Sequence, residues 1–464
     1  MTTPRYPQGC LAGSQARRDA SSPDAEDPDD YAWIVNFHNG NVNLNHRDNN
    51  AFVRAVRSVP ASECQGAQCN EPVSFRSLHA AWRRARRKKK PSNDQMRFET
   101  RWIDNLFELQ TRLRAGTWAP SPSTCFIADR PKAREIHAPS FADRVVHHWL
   151  VPHLEAIYER IFIADSYSNR RGKGTLAAVK RVHAFARQVR SGQGRGWYLQ
   201  LDIHNFFPSI HRPTLYGLLR KRMRRAGLPL PVQRCVHALL RRSATETGIR
   251  YVCTPAERAK VPRHKRLESA RPGCGIPIGN LSSQFFANVY LNELDQFVKH
   301  ELRAPRYARY VDDFVLIHES REQLIEWLER ITTFLAERLH LQLKPDIRLR
   351  PLDDGIDFLG YVVRPTHLLP RRRVIAHANA ALAAWEREHV HGDHLRAAPA
   401  DLRALRSTWQ SYAGHLRHAR THRLQRRFHR RFPWLSAAGM TRHFRPSSER
   451  RIRAIRWRTS ARKP

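Results

Sequence analysis

The sequence predicts an α+β chain organised around a small sheet that carries acidic side chains, and three observations predict it. The stretch Arg309-Tyr310-Val311-Asp312-Asp313-Phe314-Val315-Leu316-Ile317 reads as two short strands joined by a tight turn at the acids. A second acidic strand lies upstream, Trp197-Tyr198-Leu199-Gln200-Leu201-Asp202-Ile203. Its period of two puts Trp197, Leu199, Leu201 and Ile203 on one face and Tyr198, Gln200 and Asp202 on the other. Between the two lies a helix whose buried stripe is Phe286, Tyr290, Leu294 and Phe297. This gives a helix between two acidic strands.

The acids point to a hard metal. Aspartate pairs are common in surface turns, but burying either charge without a cation nearby would cost several kcal/mol. If the two strand systems share a sheet, Asp202, Asp312 and Asp313 converge, and an oxygen-rich set of this kind is what Mg2+ prefers. Two such ions can clamp the attacking and leaving oxygens of an in-line phosphoryl displacement.

Three blocks together resemble the reverse transcriptases: Tyr310-Val311-Asp312-Asp313; the Asp202 strand with Phe207 five residues on; and Gly275-Ile276-Pro277-Ile278-Gly279-Asn280-Leu281-Ser282-Ser283-Gln284. Their order and spacing match that family. The resemblance implies a right-hand polymerase fold: fingers, a palm of antiparallel sheet plus helices, and a helical thumb. It also implies an RNA-directed DNA polymerase using two Mg2+. Asp202, Asp312 and Asp313 would be the catalytic acids, with Ile203 added to them as a metal ligand, and Phe207 would exclude a 2′-hydroxyl.

The chain is most similar to the enzymes of diversity-generating retroelements, prokaryotic and group II intron-like. Most reverse transcriptases carry Gln-Gly-x-x-x-Ser-Pro in the fourth block, whereas Ile278-Gly279-Asn280-Leu281-Ser282-Ser283-Gln284 has the form typical of that error-prone group. Ile278 cannot hydrogen-bond where an amide would lie near the incoming nucleotide, and Gly279 and Gln284 complete that nucleotide contact.

Composition agrees with a polyanionic partner. The 464 residues hold 81 Lys plus Arg against 42 Asp plus Glu, a formal charge of +39, which implies nucleic acid more readily than any particular fold. A hydrophobic content of 41% supports a buried core. Seven Cys at irregular positions argue against a disulfide scaffold and for a reducing compartment. Cys64 and Cys69 have no second pair at finger spacing. No apolar run approaches the roughly 18 residues of a membrane span, and the N-terminus lacks a hydrophobic signal core. The expected location is the cytoplasm, without a membrane partner.

Residues 1–30 are rich in Pro, Ser, Asp and Ala and are not expected to fold. Residues 31–74 form an Asn-rich appended segment: from Asn36 to Asn50, seven of fifteen positions are Asn. Asn39-Gly40 is a hairpin signal between alternating residues. The segment resembles the end of the variable domains that such retroelements diversify, and reads as a remnant or template-like sequence, with a polar hairpin or linker as the plain alternative.

Fingers are expected over 75–190. A basic helix over 78–90, ending in Arg86-Arg87-Lys88-Lys89-Lys90, offers a solvated face or a template contact. Trp102, Leu106, Leu109 and Leu113 keep a buried stripe on the next helix. The segments Arg130-Pro131-Lys132-Ala133-Arg134-Glu135-Ile136 and Asp165-Ser166-Tyr167-Ser168-Asn169-Arg170-Arg171-Gly172-Lys173-Gly174-Thr175 look like the first two family blocks. By that pattern Lys132 and Arg134 are candidates for the incoming triphosphate, and Arg170, Arg171 and Lys173 for nucleic-acid phosphates. His147 and His148 read as helix-face residues.

The palm is expected over 191–365, with a basic surface excursion over 250–271. A helix follows at 322–339, then Lys344 near the leaving pyrophosphate by the family's sixth block. Asp357-Phe358-Leu359-Gly360-Tyr361 resembles the block that turns the primer end toward the metals, with Gly360 permitting close backbone approach. A basic thumb and tail occupy 366–464. Helices around 376–388 and 400–419 are expected there, with Trp409, Tyr412 and Leu416 in its core and Arg417, Arg420 and Arg423 facing a duplex.

The expected partners are a template RNA, a DNA or RNA primer, deoxynucleoside triphosphates and a basic accessory protein of the retroelement. Two other readings stay open. An intron maturase or phage-defence transcriptase would keep the chemistry and change the biology, and a template repeat beside the coding sequence would separate them. A catalytically idle RNA-binding scaffold is the reading of another class, and the presence of all three acids weighs against it.

Overall fold

The computed structural model describes residues 31–35, 42–46, 72–87, 90–129, 132–392 and 394–437. Expectations for 1–30, for Cys64 and Cys69, for Lys88 and Lys89 and for the last 27 residues fall outside these. The chain divides into two compact units between Trp118 and Ala119, a boundary inside the span expected as fingers.

In the first unit, strands β1 (Tyr31–Val35) and β2 (Val42–His46) pair antiparallel, as the pattern around Asn39-Gly40 predicts. Helix α1 (Phe75–Arg86) starts at Ser74, whose hydroxyl accepts from Ser77 N at 3.2 Å, a side-chain cap. It is followed by α2 (Asn93–Thr100) and α3 (Trp102–Ala115). Leu106, Leu109 and Leu113 are buried as their spacing predicts, and Trp102 stacks on Trp82 with centroids 4.8 Å apart.

The second unit begins with β3 (Ser123–Ala128), β4 (Arg134–Ala138), α4 (Phe141–Tyr158) and α5 (Thr175–Gln193). Then come β5 (Trp197–Asp202), α6 (Arg212–Arg225), α7 (Leu230–Arg241) and β6 (Ile249–Tyr251). The central helix is α8 (Leu281–Gln296), followed by β7 (Tyr307–Tyr310), β8 (Asp313–His318), α9 (Arg321–Leu339) and β9 (Arg348–Pro351). Three short strands, β10 (Ile356–Phe358), β11 (Tyr361–Val363) and β12 (Leu368–Pro370), lead to α10 (Arg372–His389), α11 (Pro399–Leu416) and α12 (His422–Arg431).

The two acidic strands do share a sheet, in the order β7-β8-β5-β9 and antiparallel throughout. This is an antiparallel sheet of the kind expected for the palm. Strand β5 is central, so its second face is not a wet one: Tyr198 and Gln200 are both under a tenth exposed. Tyr198 instead joins a core with Val179, Val182 and Phe185 of α5, Val315 and Ile317 of β8, and Phe358 of β10. The apolar run of β8 is buried on both faces, the signature of a strand covered from both sides. Phe286, Tyr290, Leu294 and Phe297 are buried as expected.

The segment 250–271 is largely exposed, as a surface excursion would be, and it is also docked. Strand β6 within it pairs parallel with β3, completing the order β4-β3-β6, and Leu267 N donates to the buried Glu135 at 3.1 Å. Its Pro and charge content gave no sign of the dock, in which Arg258 pairs with the buried Glu135. In the last helices Trp409 and Leu416 are buried in one cluster with Tyr412 packed against it, as expected of a thumb core. No helix among the described residues is long and apolar enough to cross a membrane.

Phe358 is fully buried between α5 and the central sheet. Phe358→Ala should lower unfolding stability by about 3–5 kcal/mol, read as a shifted urea midpoint; a midpoint unchanged from wild type would show that this core does not join the two sheets.

Candidate active site

Tyr310 pairs with Asp313 across β7 and β8, so the turn between them has only Val311 and Asp312. Val311 has φ +56°, a left-handed conformation that β-branched residues adopt rarely and that costs on the order of 1–3 kcal/mol. The side chain of Arg309 holds it there: Nη1 donates to the Val311 carbonyl at 2.9 Å and to Asn288 Oδ1 at 3.3 Å. Nε and Nη2 donate to the two oxygens of Asp295 at 2.7 and 2.5 Å, and Nη2 reaches Ser166 Oγ at 3.2 Å. The Tyr307 hydroxyl donates to Asp295 as well, at 2.7 Å. Arg309 and Asp295 are fully buried.

Asn288 and Asp295 were not singled out from sequence. The available signal was an amide and a carboxylate seven residues apart, which places them on one face of the helix.

Register places Asp202 directly opposite Asp313, with Asp312 beside it at the turn. Lys344 closes the group: its backbone N donates to the Asp202 carbonyl at 2.8 Å, and its ammonium is ion-paired with the Asp202 carboxylate. Burial, and then the Asp202 charge, push Asp312 up to about 6, with Lys344 and Arg134 opposing. Asp313 is pushed up to about 7, by burial first and by Asp202 and Asp312, against a hydrogen bond from Gln200 Nε2 at 3.2 Å.

Among the described residues no three acidic, His or Cys side chains are closed up as a finished metal cage. The donor set fits a divalent ion all the same: Asp202 Oδ1 is a buried acceptor without a hydrogen-bond partner, and the two raised carboxylates are the groups a cation would stabilise as anions. Ile203 is buried, so only its backbone oxygen could face an ion.

Arg134 is exposed at the start of β4 and near enough to act electrostatically on Asp312; Lys132 is also exposed. The fourth block lies along β4, since His137 N donates to the Ile278 carbonyl at 2.7 Å. Gly279, at φ +132°, approaches so closely that a Cβ would sit 2.7 Å from the His137 carbonyl oxygen. Phe207 neighbours this block, its carbonyl accepting from Ile276 N at 3.1 Å, and Gln284 is exposed.

Arg170 does not reach outward. Its side chain is 6% exposed, paired with Glu159 and bonded to the Ile163 and Ser166 carbonyls, so it braces its own loop. Lys173 donates to the Ala164 carbonyl at 2.8 Å, and only Arg171 of the three is exposed. His147 is buried against Ser282 at 2.9 Å and pushed down to about 3 by burial, a helix-packing role.

Gly360 lies in the two-residue turn of β10 and β11, with Leu359 at φ +50° and Gly360 at +92°, the double positive φ such turns require. A Cβ at Gly360 would lie 3.1 Å from His415 Cε1. His415 also stacks on Tyr361 at 4.1 Å, a contact that sequence spacing did not reveal. Arg417, Arg420 and Arg423 are exposed.

A divalent ion held here would bind the ionised carboxylates, so it would displace protons from groups pushed up to about 6 and about 7. Its apparent affinity should therefore weaken as pH falls below about 7, with roughly one proton released per site at pH 6.5. Calorimetry in two buffers of different ionisation enthalpy measures this; pH-independent affinity would show that these carboxylates are not the ligands.

A sequence profile described as reverse transcriptase (RNA-dependent DNA polymerase) matches residues 127–363, half of the chain. Protein YkfC of Escherichia coli is 22% identical over 304 residues, which are 58% of this chain and 74% of that protein. The group II intron-encoded protein LtrA of Lactococcus lactis is 23% identical over 318 residues, 54% of this chain and 48% of LtrA, so this chain spans about half of LtrA's length. Among solved structures, telomerase from Candida albicans matches with TM-score 0.35 and 10% identity over 61% of this chain and 55% of that one. Telomerase from Candida tropicalis gives 0.36 and 11% over 58% and 60%. Reverse transcriptase domains use divalent metal ions, and this chain belongs to the reverse transcriptase family, the RNA-directed DNA polymerases.

Proposed function

We propose that the chain copies a template RNA into DNA, the primer 3′-hydroxyl attacking the α-phosphate of a deoxynucleoside triphosphate beside Asp202, Asp312 and Asp313. The observation that carries this reading is the register that sets Asp202 opposite Asp313 with Asp312 at the turn. Two Mg2+ held there would lower the charge on the attacking and leaving oxygens. The protein's own part is positional. Lys344, held on Asp202, stands where a cation is needed and could turn to the departing pyrophosphate. Arg134 faces the same charge and would meet the triphosphate, and Phe207 would press on the sugar to exclude a 2′-hydroxyl.

Within the family we assign the chain to the error-prone enzymes of diversity-generating retroelements, acting in the cytoplasm with a basic accessory protein. Ile278 supports this: its backbone is fixed by His137, and its side chain can supply shape but no hydrogen bond. The similarity to LtrA favours a group II intron-like maturase as the second reading.

Asp312→Asn should abolish primer extension while RNA binding stays within about twofold, because a metal ligand is lost and no phosphate contact; extension retained at ordinary Mg2+ would overturn the assignment. Correct and wrong pairs should differ less in transition-state free energy at Ile278, each kcal/mol lost raising misincorporation about fivefold. Sequencing the cDNA should show errors concentrated opposite template adenine and reduced in Ile278→Gln. Accurate copying of adenine by the wild type, with accessory protein present, would leave the maturase reading.

A further inference from the structure

We propose that Cys125 and Cys253 form a peroxide-sensitive thiol pair whose disulfide staples the 253–267 segment to strand β3. This is a modification site apart from the acidic cluster, and it goes beyond the copying reaction.

Cys125, Cys235, Cys253 and Cys274 are free thiols, and the fold brings the first and third together from more than a hundred residues apart in sequence. Cys125 lies in β3 and is fully buried. Strand β6 runs parallel beside it, with Tyr251 in register with Cys125 and Val252 N donating to the Cys125 carbonyl at 3.0 Å. The ladder stops there. Cys253 follows in a bend, and its thiol is hydrogen-bonded with that of Cys125. Because Cys253 stands outside the ladder, it can close to disulfide distance without breaking a strand pairing.

The two sulfurs have unlike surroundings. Burial, and then Glu135, push the Cys125 thiol up to about 12, so it does not react with an oxidant by itself. Cys253 is half-buried and is the sulfur that a dissolved oxidant meets. Its attack on hydrogen peroxide breaks the O–O bond and gives a sulfenic acid and one water. The Cys125 sulfur then attacks the sulfenic sulfur; the S–S bond forms, and the hydroxyl leaves with the Cys125 proton as a second water. A pair that rests as thiols and closes only under an oxidant is the transient, sensing kind that a reducing compartment allows.

The position of the bond gives its consequence. Cys125 lies opposite His137 in the β3–β4 pairing, and His137 N holds the Ile278 carbonyl of the fourth block. Cys253 immediately precedes Thr254, whose capping box with Glu257 starts the short helix Pro255–Ala259 that carries Arg258 to Glu135. The disulfide therefore ties the sheet that holds the fourth block to the segment docked on it. Closing so long a loop removes much of the freedom the undocked chain would gain.

The test treats the folded full chain with hydrogen peroxide, then denatures it in iodoacetamide, digests it and maps the peptides by mass spectrometry. The expected product is a peptide pair linked through Cys125 and Cys253 and released by dithiothreitol, with Cys235 and Cys274 alkylated. Cys253→Ser should remove the linked pair and leave Cys125 alkylated, whereas Cys125→Ser should leave Cys253 as a sulfenic acid that dimedone captures. On the native chain, tryptic cleavage at the exposed Lys260, Arg263 and Lys265 should become about tenfold slower after oxidation, because cutting requires local undocking, and should be unchanged in oxidised Cys253→Ser. Cys253, half-buried in a bend, is the safer site to substitute, and its variant decides the outcome if Cys125→Ser does not fold. No linked pair, Cys253 joined to a different cysteine, or an undiminished cleavage rate in the oxidised wild type would each overturn the staple; so would equal slowing in Cys253→Ser.

Discussion

A fully buried ion pair, Arg309 with Asp295, is the interaction on which the acidic site depends. Taking two charges out of water is costly, and such pairs contribute little net stability unless their remaining donors are satisfied. Here they are: Asp295 also accepts from Tyr307, and Arg309 spends its other donors on Asn288, Ser166 and the Val311 carbonyl. The pair thus links α8, the loop at Ser166 and strand β7 to one peptide group. That peptide belongs to the strained residue ahead of Asp312. Without the strut, a β-branched residue at positive φ would relax, and the carboxylates would lose their register.

A second chain of contacts ties the acids to the β10–β11 turn. Gln200 Nε2 donates both to Asp313 and, at 3.0 Å, to the Asp357 carbonyl. Arg371 pairs with the Asp357 carboxylate, and its backbone N donates to the Gly360 carbonyl at 2.9 Å. His415 of α11 then covers the same turn, with the Tyr361 hydroxyl donating to the His415 carbonyl at 2.9 Å. The acidic site, the β10–β11 turn and helix α11 are therefore mechanically joined. Positioning reacting atoms in this way can supply several kcal/mol of a barrier.

Much of this was legible in the chain. The strands, the turn at Asp312-Asp313 and the helix between the acidic strands follow from local periodicity and apolar runs, because those elements bury what their patterns say. What sequence could not give was long-range. Tyr198 and Gln200 read as a polar face, yet β5 turned out central, since strand order depends on pairings over a hundred residues apart. Arg170 read as a phosphate contact because an arginine beside glycines looks exposed, whereas Glu159 and two carbonyls turn it inward. The 250–271 segment does lie on the surface, but its dock was not legible, because Arg258 pairs with Glu135, which lies far away in sequence.

The central claim is that Arg309 fixes the geometry of the acids through the Val311 carbonyl, and Arg309→Lys tests it most directly. Lysine keeps the charge opposite Asp295 but cannot bond Asp295 and the Val311 carbonyl together in a planar fork. With folding checked by circular dichroism, the measurement is divalent-ion affinity by calorimetry. A folded variant whose affinity falls tenfold or more is the predicted result; a folded variant that binds the ion as tightly as wild type would contradict the account.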